Sequence, residues 1–221
     1  MTPLRFVFTA AALAMLGNSA TLAATPDAAS IAQKGNGKGA PPCMSCHGVD
    51  GGGQAAAGFP RLAGLDAAYM QRQLDDFANG SRGNPVMKPV ATALNEDERK
   101  ALAAWYGKLP IPAAGAAAPA SAANDELGKE LATRGRWAEQ VPACVQCHGP
   151  RGVGVGEYFP PLAGQPATYI ANQLQAWKQG TRRNDPLDLM KHVASALDDK
   201  DIQAVSAWFA AQPAKPEGGT P

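Results

Sequence analysis

The pentad Cys-x-x-Cys-His occurs twice, as Cys43-Met44-Ser45-Cys46-His47 and as Cys144-Val145-Gln146-Cys147-His148, and together the copies use all four cysteines and two of the three histidines. Each copy is the attachment signature of a c-type haem, in which two thiols bond covalently to the porphyrin and the adjacent imidazole ligates iron. The spacing is mechanical: two thioether bonds fix the macrocycle, so the histidine that must project beneath its centre directly follows the second cysteine. Two covalent haem c groups are expected. They bind the fold as well as the chemistry, because the chain must wrap two flat apolar plates.

Other uses of the cysteines fit less well. Paired Cys-x-x-Cys motifs of zinc sites lie about 15–20 residues apart, whereas 97 residues separate Cys46 from Cys144. A thioredoxin-like redox pair needs a βαβ context, and no strand pattern is evident. Structural disulfides would not require His47 and His148.

The first residues read as a secretory signal over 1–23: Arg5 supplies the positive start, Phe6 to Gly17 the apolar stretch, and Thr21-Leu22-Ala23 a small-x-small cleavage site. The twelve-residue apolar run is short of the roughly 20 residues needed to span a bilayer. Export suits haem attachment, and the bacterial periplasm is the expected destination. Without the signal the chain holds 19 basic and 19 acidic side chains. That balance argues against nucleic acid or an anionic membrane as the main partner, since both call for a basic excess. Any membrane association is expected to be peripheral.

The chain also repeats itself. The pentads match at an offset of 101, and Phe59-Pro60-Arg61-Leu62-Ala63-Gly64 matches Phe159-Pro160-Pro161-Leu162-Ala163-Gly164 at 100. Tyr69, Gln73, Leu74, Gly80, Arg82 and Asn84 recur as Tyr169, Gln173, Leu174, Gly180, Arg182 and Asn184. After a three-residue insertion, Met87, Val90, Ala91, Leu94 and Trp105 recur as Met190, Val193, Ala194, Leu197 and Trp208. The expected division is a first domain over 24–110, an Ala/Pro-rich linker over 111–124, a second domain over 125–212 and a tail over 213–221. Domains this small have modest cores and need a staple, which a covalent haem supplies.

Both copies read as all-α. The spacing of Met70, Leu74 and Phe77 predicts a helix from Asp66 to Asn79 ended by Gly80, and Ile170, Leu174 and Trp177 repeat it before Gly180. Asn95 and Glu98 predict a capping box ahead of a stripe of Leu102, Trp105 and Leu109. Its counterpart starts near Asp198 and buries Ile202, Val205 and Trp208 or Phe209. Short helices are expected near 27–35 and 125–138, before each pentad.

The group opposite each histidine decides between electron transfer and chemistry at iron. Met87 lies 40 residues after His47, and Met190 lies 42 after His148. Both follow a Gly-x-Arg-x-Asn turn, and only these methionines recur as a pair. Met70 aligns with Ile170 and is expected in the core. His192 aligns with Pro89, which cannot ligate, so it is expected at the surface. The iron ligands are therefore His47 with Met87 and His148 with Met190, with no catalytic residue.

In its paired pentads, Phe-Pro-x-Leu-Ala-Gly segments, Gly-x-Arg-x-Asn turns and late methionines the chain resembles the dihaem cytochrome c4 family. The resemblance covers nearly all of the mature chain and implies two tandem class I cytochrome c domains with their haems close together. It implies a periplasmic electron carrier, from a donor such as a quinol-oxidising complex toward an acceptor such as a terminal oxidase. It further implies that the carbonyls of Pro60 and Pro160 orient the histidines, that Leu62 and Leu162 lie against haem, and that Arg82, Arg182, Tyr69 and Tyr169 face propionates. The alternatives are an electron-transfer subunit of a dehydrogenase or reductase complex and a dihaem enzyme such as a peroxidase; the second needs an open iron, which the paired methionines oppose.

Overall fold

The computed structural model describes residues 26–112 and 122–214. The expected signal, most of the linker and most of the tail lie outside the described residues. Among the described residues ten α-helices run in two sets of five: α1 (Ala28–Lys34), α2 (Met44–His47), α3 (Ala67–Asn79), α4 (Met87–Thr92) and α5 (Glu96–Lys108), then α6 (Ala122–Thr133), α7 (Cys144–His148), α8 (Ala167–Lys178), α9 (Leu189–Ser195) and α10 (Asp199–Ala211). Among the described residues the β-pairing consists of isolated bridges alone, and both halves are all-α.

Local chemistry sets the helix limits. Asp66 accepts from the Tyr69 N–H to start α3, and Gly80 ends it in the left-handed conformation at φ 85°. Asn95 and Glu98 close a capping box on α5, and Asp198 and Asp201 do the same on α10. The helix before the second pentad departs from expectation at both ends. It begins at Ala122, because nothing in Ala122-Ala123-Asn124 breaks a helix, so the last three residues of the expected linker are helical. It stops at Thr133, where the Arg134 and Gly135 N–H groups both turn back onto the Glu130 carbonyl.

Each half has its own core. The first gathers Ile31, Leu65, Tyr69, Met70, Leu102 and Tyr106. The second gathers Leu131, Ile170, Leu174, Ile202, Val205 and Phe209, with Trp177 and Trp208. In α5 the buried stripe is Leu102, Ala103 and Tyr106, whereas Trp105 and Leu109 are only half-buried against it. In α10 both Trp208 and Phe209 are buried.

The halves meet along a polar seam with approximate two-fold character. The segments after α3 and α8 pair antiparallel: the Gly83 N–H donates to the Thr181 carbonyl at 2.8 Å, and the Arg183 N–H donates to the Ser81 carbonyl at 2.7 Å. Arg82 donates to Gln73 in its own half (3.0 Å) and to Gln173 across the seam (2.6 Å). Arg182 donates to Gln173 (3.0 Å) and across to Gln73 (3.1 Å). Each guanidinium stacks 4.4 Å from an aromatic ring of its own half, Phe77 or Trp177. A second contact breaks the symmetry: the Gln165 amide accepts from the Arg61 N–H (3.0 Å) and donates to the Arg61 carbonyl (2.9 Å), while the Arg61 guanidinium donates to the Ala163 carbonyl (3.2 Å).

Candidate haem sites

Both pentads form one short helical turn that ends on the histidine and reverses at a glycine, Gly48 or Gly149. That turn presents Cys43, Cys46 and His47, and likewise Cys144, Cys147 and His148, from one short stretch. The four cysteines are half-buried and form no disulfide with one another. Burial pushes the Cys43 thiol up and the Cys144 thiol up to about 12. Burial at Cys43 and Cys144 thus opposes a thiolate. Among the described residues no three His, Cys, Asp or Glu side chains gather into a metal site, so the zinc alternative has no ligand set.

The histidines are buried and held by their Nδ1 atoms. Each is 7 % exposed, and burial lowers the pKa of both, opposed in part by a bond to a proline carbonyl. His47 Nδ1 lies 3.0 Å from the Pro60 carbonyl oxygen and His148 Nδ1 lies 2.8 Å from that of Pro160. A carbonyl only accepts, so the proton sits on Nδ1 and the Nε2 lone pair is left free as a ligand. Phe59 and Phe159 pack beside the imidazoles, ring centroids 6.1 Å away in both halves.

The second half holds a cavity of about 680 Å³ whose lining includes Cys144, Cys147, His148, Leu162, Tyr169 and Met190. It therefore joins His148 to Met190. The same cavity reaches the seam, where Gln73 and Asp76 of the first half also line it. Two thiols, a neutral imidazole with a free Nε2 and a soft thioether around a largely apolar space suit an iron porphyrin, and the size falls within the range of ligand pockets. In the first half Cys43, Met44, Leu62 and Val90 are half-buried against the core.

Met87 and Met190 occupy equivalent places at the starts of α4 and α9, both half-buried. They are held differently. Asn84 accepts from the Met87 N–H at 2.8 Å, whereas Asp185, within the longer second loop, accepts from the Met190 N–H. Asn184, the counterpart of Asn84, turns to the seam and donates to Gln73 and Asp76. Met70 is buried in the first core, as expected, and His192 is exposed. Arg82 and Arg182, expected from the resemblance to face propionates, are buried in the seam, and Arg182 also lines the cavity. The Arg61–Gln165 latch escaped sequence reading. The signal was available: Arg61 stands opposite Pro161, and Leu65 opposite Gln165, where the flanking repeat is otherwise kept.

The profile of the cytochrome c family matches twice, over residues 32–109 and 126–212. A thiosulfate dehydrogenase electron acceptor of Stutzerimonas stutzeri is 55 % identical over 168 residues, 76 % of this chain and 77 % of that protein. One from Thiomonas intermedia is 46 % identical over 97 % of this chain and 94 % of its own length, and cytochrome c4 of Pseudomonas aeruginosa is 38 % identical over 76 % and 82 %. Among solved structures, thiosulfate dehydrogenase of Marichromatium purpuratum superposes with a TM-score of 0.79 at 43 % identity, covering 85 % of this chain and 40 % of that longer one. Reduced cytochrome c4 of Pseudomonas stutzeri superposes at 0.70 with 34 % identity, covering 77 % and 93 %. The chain belongs to the cytochrome c family, in its dihaem cytochrome c4 group, and is an electron carrier with one covalent haem c at each Cys-x-x-Cys-His pentad.

Proposed function

We propose that this chain accepts electrons from a thiosulfate-oxidising dehydrogenase in the periplasm and passes them onward, toward a respiratory acceptor such as a terminal oxidase. One observation carries the reading: the relatives named as electron acceptors of that enzyme are 55 % and 46 % identical, against 38 % for a cytochrome c4. The processing site after Ala23 and the domain limits 24–110 and 125–212 are part of the proposal. So is location, consistent with no described helix being long and apolar enough to cross a membrane.

The proposed ligand pairs are His47 with Met87 and His148 with Met190. Each haem supplies a one-electron ferric–ferrous couple. The polypeptide would hold each iron through a histidine and a methionine, which would leave no position for a substrate. Nδ1–H bonds to Pro60 and Pro160 fix ring orientation and strengthen the imidazoles as donors, and thioether ligation favours the ferrous state. The seam is rich in buried cations, Arg61, Arg82 and Arg182, while the carboxylate of Asp76 there accepts from Asn184. It is suited to carboxylates arriving with the haems, which would set the two groups facing one another across the domain boundary.

Rapid mixing of the oxidised holoprotein with a thiosulfate dehydrogenase and thiosulfate tests the reading. Reduction of both haems is expected at a rate that scales with the dehydrogenase and falls away without it. Reduction no faster than by thiosulfate alone, together with fast exchange with a quinol-oxidising complex, would instead favour the general respiratory carrier that the cytochrome c4 likeness supports.

A further inference from the structure

The cavity beside the second pentad is not closed by its own half alone. The first half contributes Leu65, Tyr69, Arg72, Gln73 and Asp76 to its wall. Of these only Arg72 brings a positive charge; the carboxylate of Asp76 accepts from Asn184 at 2.7 Å and from Ser81 at 3.1 Å. Arg72 projects from α3 and is gripped by the stretch just before Phe159. Its guanidinium donates to the Glu157 carbonyl, lies 3.5 Å from the Glu157 carboxylate and stacks 4.7 Å from the centre of the Tyr158 ring. Tyr158 lines the cavity with it, whereas Glu157 does not. The cation therefore stands on the cavity side of the ion pair.

The duplication supplies an internal control. Exchange of the halves carries Arg72 onto Asn172, Glu157 onto Ala57 and Tyr158 onto Gly58. The equivalent crossing exists: a Cβ on Gly58 would lie 3.3 Å from Thr168 Cγ2 and 3.5 Å from Asn172 Nδ2. There a neutral amide faces a residue without a side chain. Helix and loop thus pack closely on that side with no ion pair, so packing alone does not call for an arginine at 72. What distinguishes the two crossings is a charge, and it lies at the wall of the second cavity.

We propose that Arg72 of the first half sets the reduction potential of the second haem, favouring its ferrous state across the domain boundary. Reduction adds one negative charge at the haem, and a fixed cation nearby stabilises the form that holds the extra electron. The Glu157 carbonyl and the Tyr158 ring keep the planar fork in place, a task for which arginine is suited. Because the cation belongs to the other half, the potential of the second haem depends on the seam being closed. The inference rests on the haem site at the second pentad and needs no particular electron donor.

Spectroelectrochemical titration of the holoproteins, with each step assigned by the haem methyl resonances, is the test. Arg72→Gln removes the charge and is expected to make reduction of the second haem less favourable by about three- to tenfold in its equilibrium constant, as for a unit charge at a partly screened site; tenfold is about 59 mV for one electron. The side chain is 34 % exposed, so the shift should shrink as salt is raised. The first step should stay in place. Arg72→Lys keeps the charge and should hold the second midpoint near that of the unsubstituted protein. An Arg72→Gln protein in which the second midpoint holds, or in which both midpoints move together, overturns the proposal. So does an Arg72→Lys protein that shifts as far as the glutamine one, since loosened packing rather than charge would then be responsible. Failure of the proposed iron ligation would show separately, as a high-spin spectrum in the unsubstituted protein.

Discussion

Replacing Gln165 by alanine should destabilise the holoprotein by about 2–4 kcal/mol, although the residue touches neither pentad. The side chain is 4 % exposed and satisfies both backbone polar groups of Arg61, at 3.0 and 2.9 Å. Truncation strands a buried N–H and a buried carbonyl, each costing about 1–3 kcal/mol when left unpaired. A water that refilled part of the space would recover some of that loss, which brings the sum of about 2–6 kcal/mol into its lower half. For a chain of this length about 2–4 °C of melting temperature goes with each kcal/mol, so a drop of roughly 5–15 °C is expected by circular dichroism. Gln165→Leu separates hydrogen bonding from volume, since it restores bulk and installs the residue found at Leu65. It should remain nearly as destabilised as the alanine protein. A leucine protein that melts with the unsubstituted one would refute the reasoning, because packing alone would then account for the latch.

Other substitutions test the sites. Met87→Ala or Met190→Ala should open one iron, producing a half-complement of high-spin haem and a lowered potential for that haem alone, seen in absorption spectra and redox titration. Met70→Ala should leave both haems low-spin while costing about 2–5 kcal/mol of stability, since Met70 is core. Gly128→Ala should destabilise by about 1–3 kcal/mol despite a helix-propensity gain near 1 kcal/mol, because the added Cβ would lie 2.4 Å from the Ala204 carbonyl oxygen and 2.7 Å from Trp208 Cβ; denaturant titration reads the difference. Asp198→Ala should lower the melting temperature at neutral pH, with the deficit shrinking in acid. The Asp201 backbone N–H, aided by other donors and cations, holds the Asp198 carboxyl below its usual range. Its contribution is therefore present above the ordinary carboxylate pKa and is lost as pH falls through the depressed value.

What could be read from the sequence was what repeats locally or carries its own chemistry. The pentads, the Asp66–Gly80 helix limits, the Asn95–Glu98 box and the core place of Met70 each follow from neighbours within a few residues. Helix length was less legible where no breaker stood, as at Ala122, or where a backbone turn back to Glu130 ended α6 early. Trp105 and Leu109 fit the helical period, yet Ala103 and Tyr106 share the interior, because burial depends on what the opposite helix offers. The seam could not be read from either copy alone. Arg82 has the look of a solvated turn residue, and partners 91 and 87 residues away, Gln173 and Tyr169, explain its burial.

The reciprocal pairing of Arg82 with Gln173 and Arg182 with Gln73 is the pattern that two identical subunits make about a dyad. Such a joint is self-complementary, so covalent continuity need not define its geometry; a tether there serves to raise the local concentration of one half around the other. Severed halves, each loaded with its own haem, should thus find each other again as a heterodimer, and two first halves have most of what is needed to pair among themselves. The Arg61–Gln165 contact and the contacts of Arg72 with Glu157 and Tyr158, which have no mirror images, are what make the unlike pairing preferred.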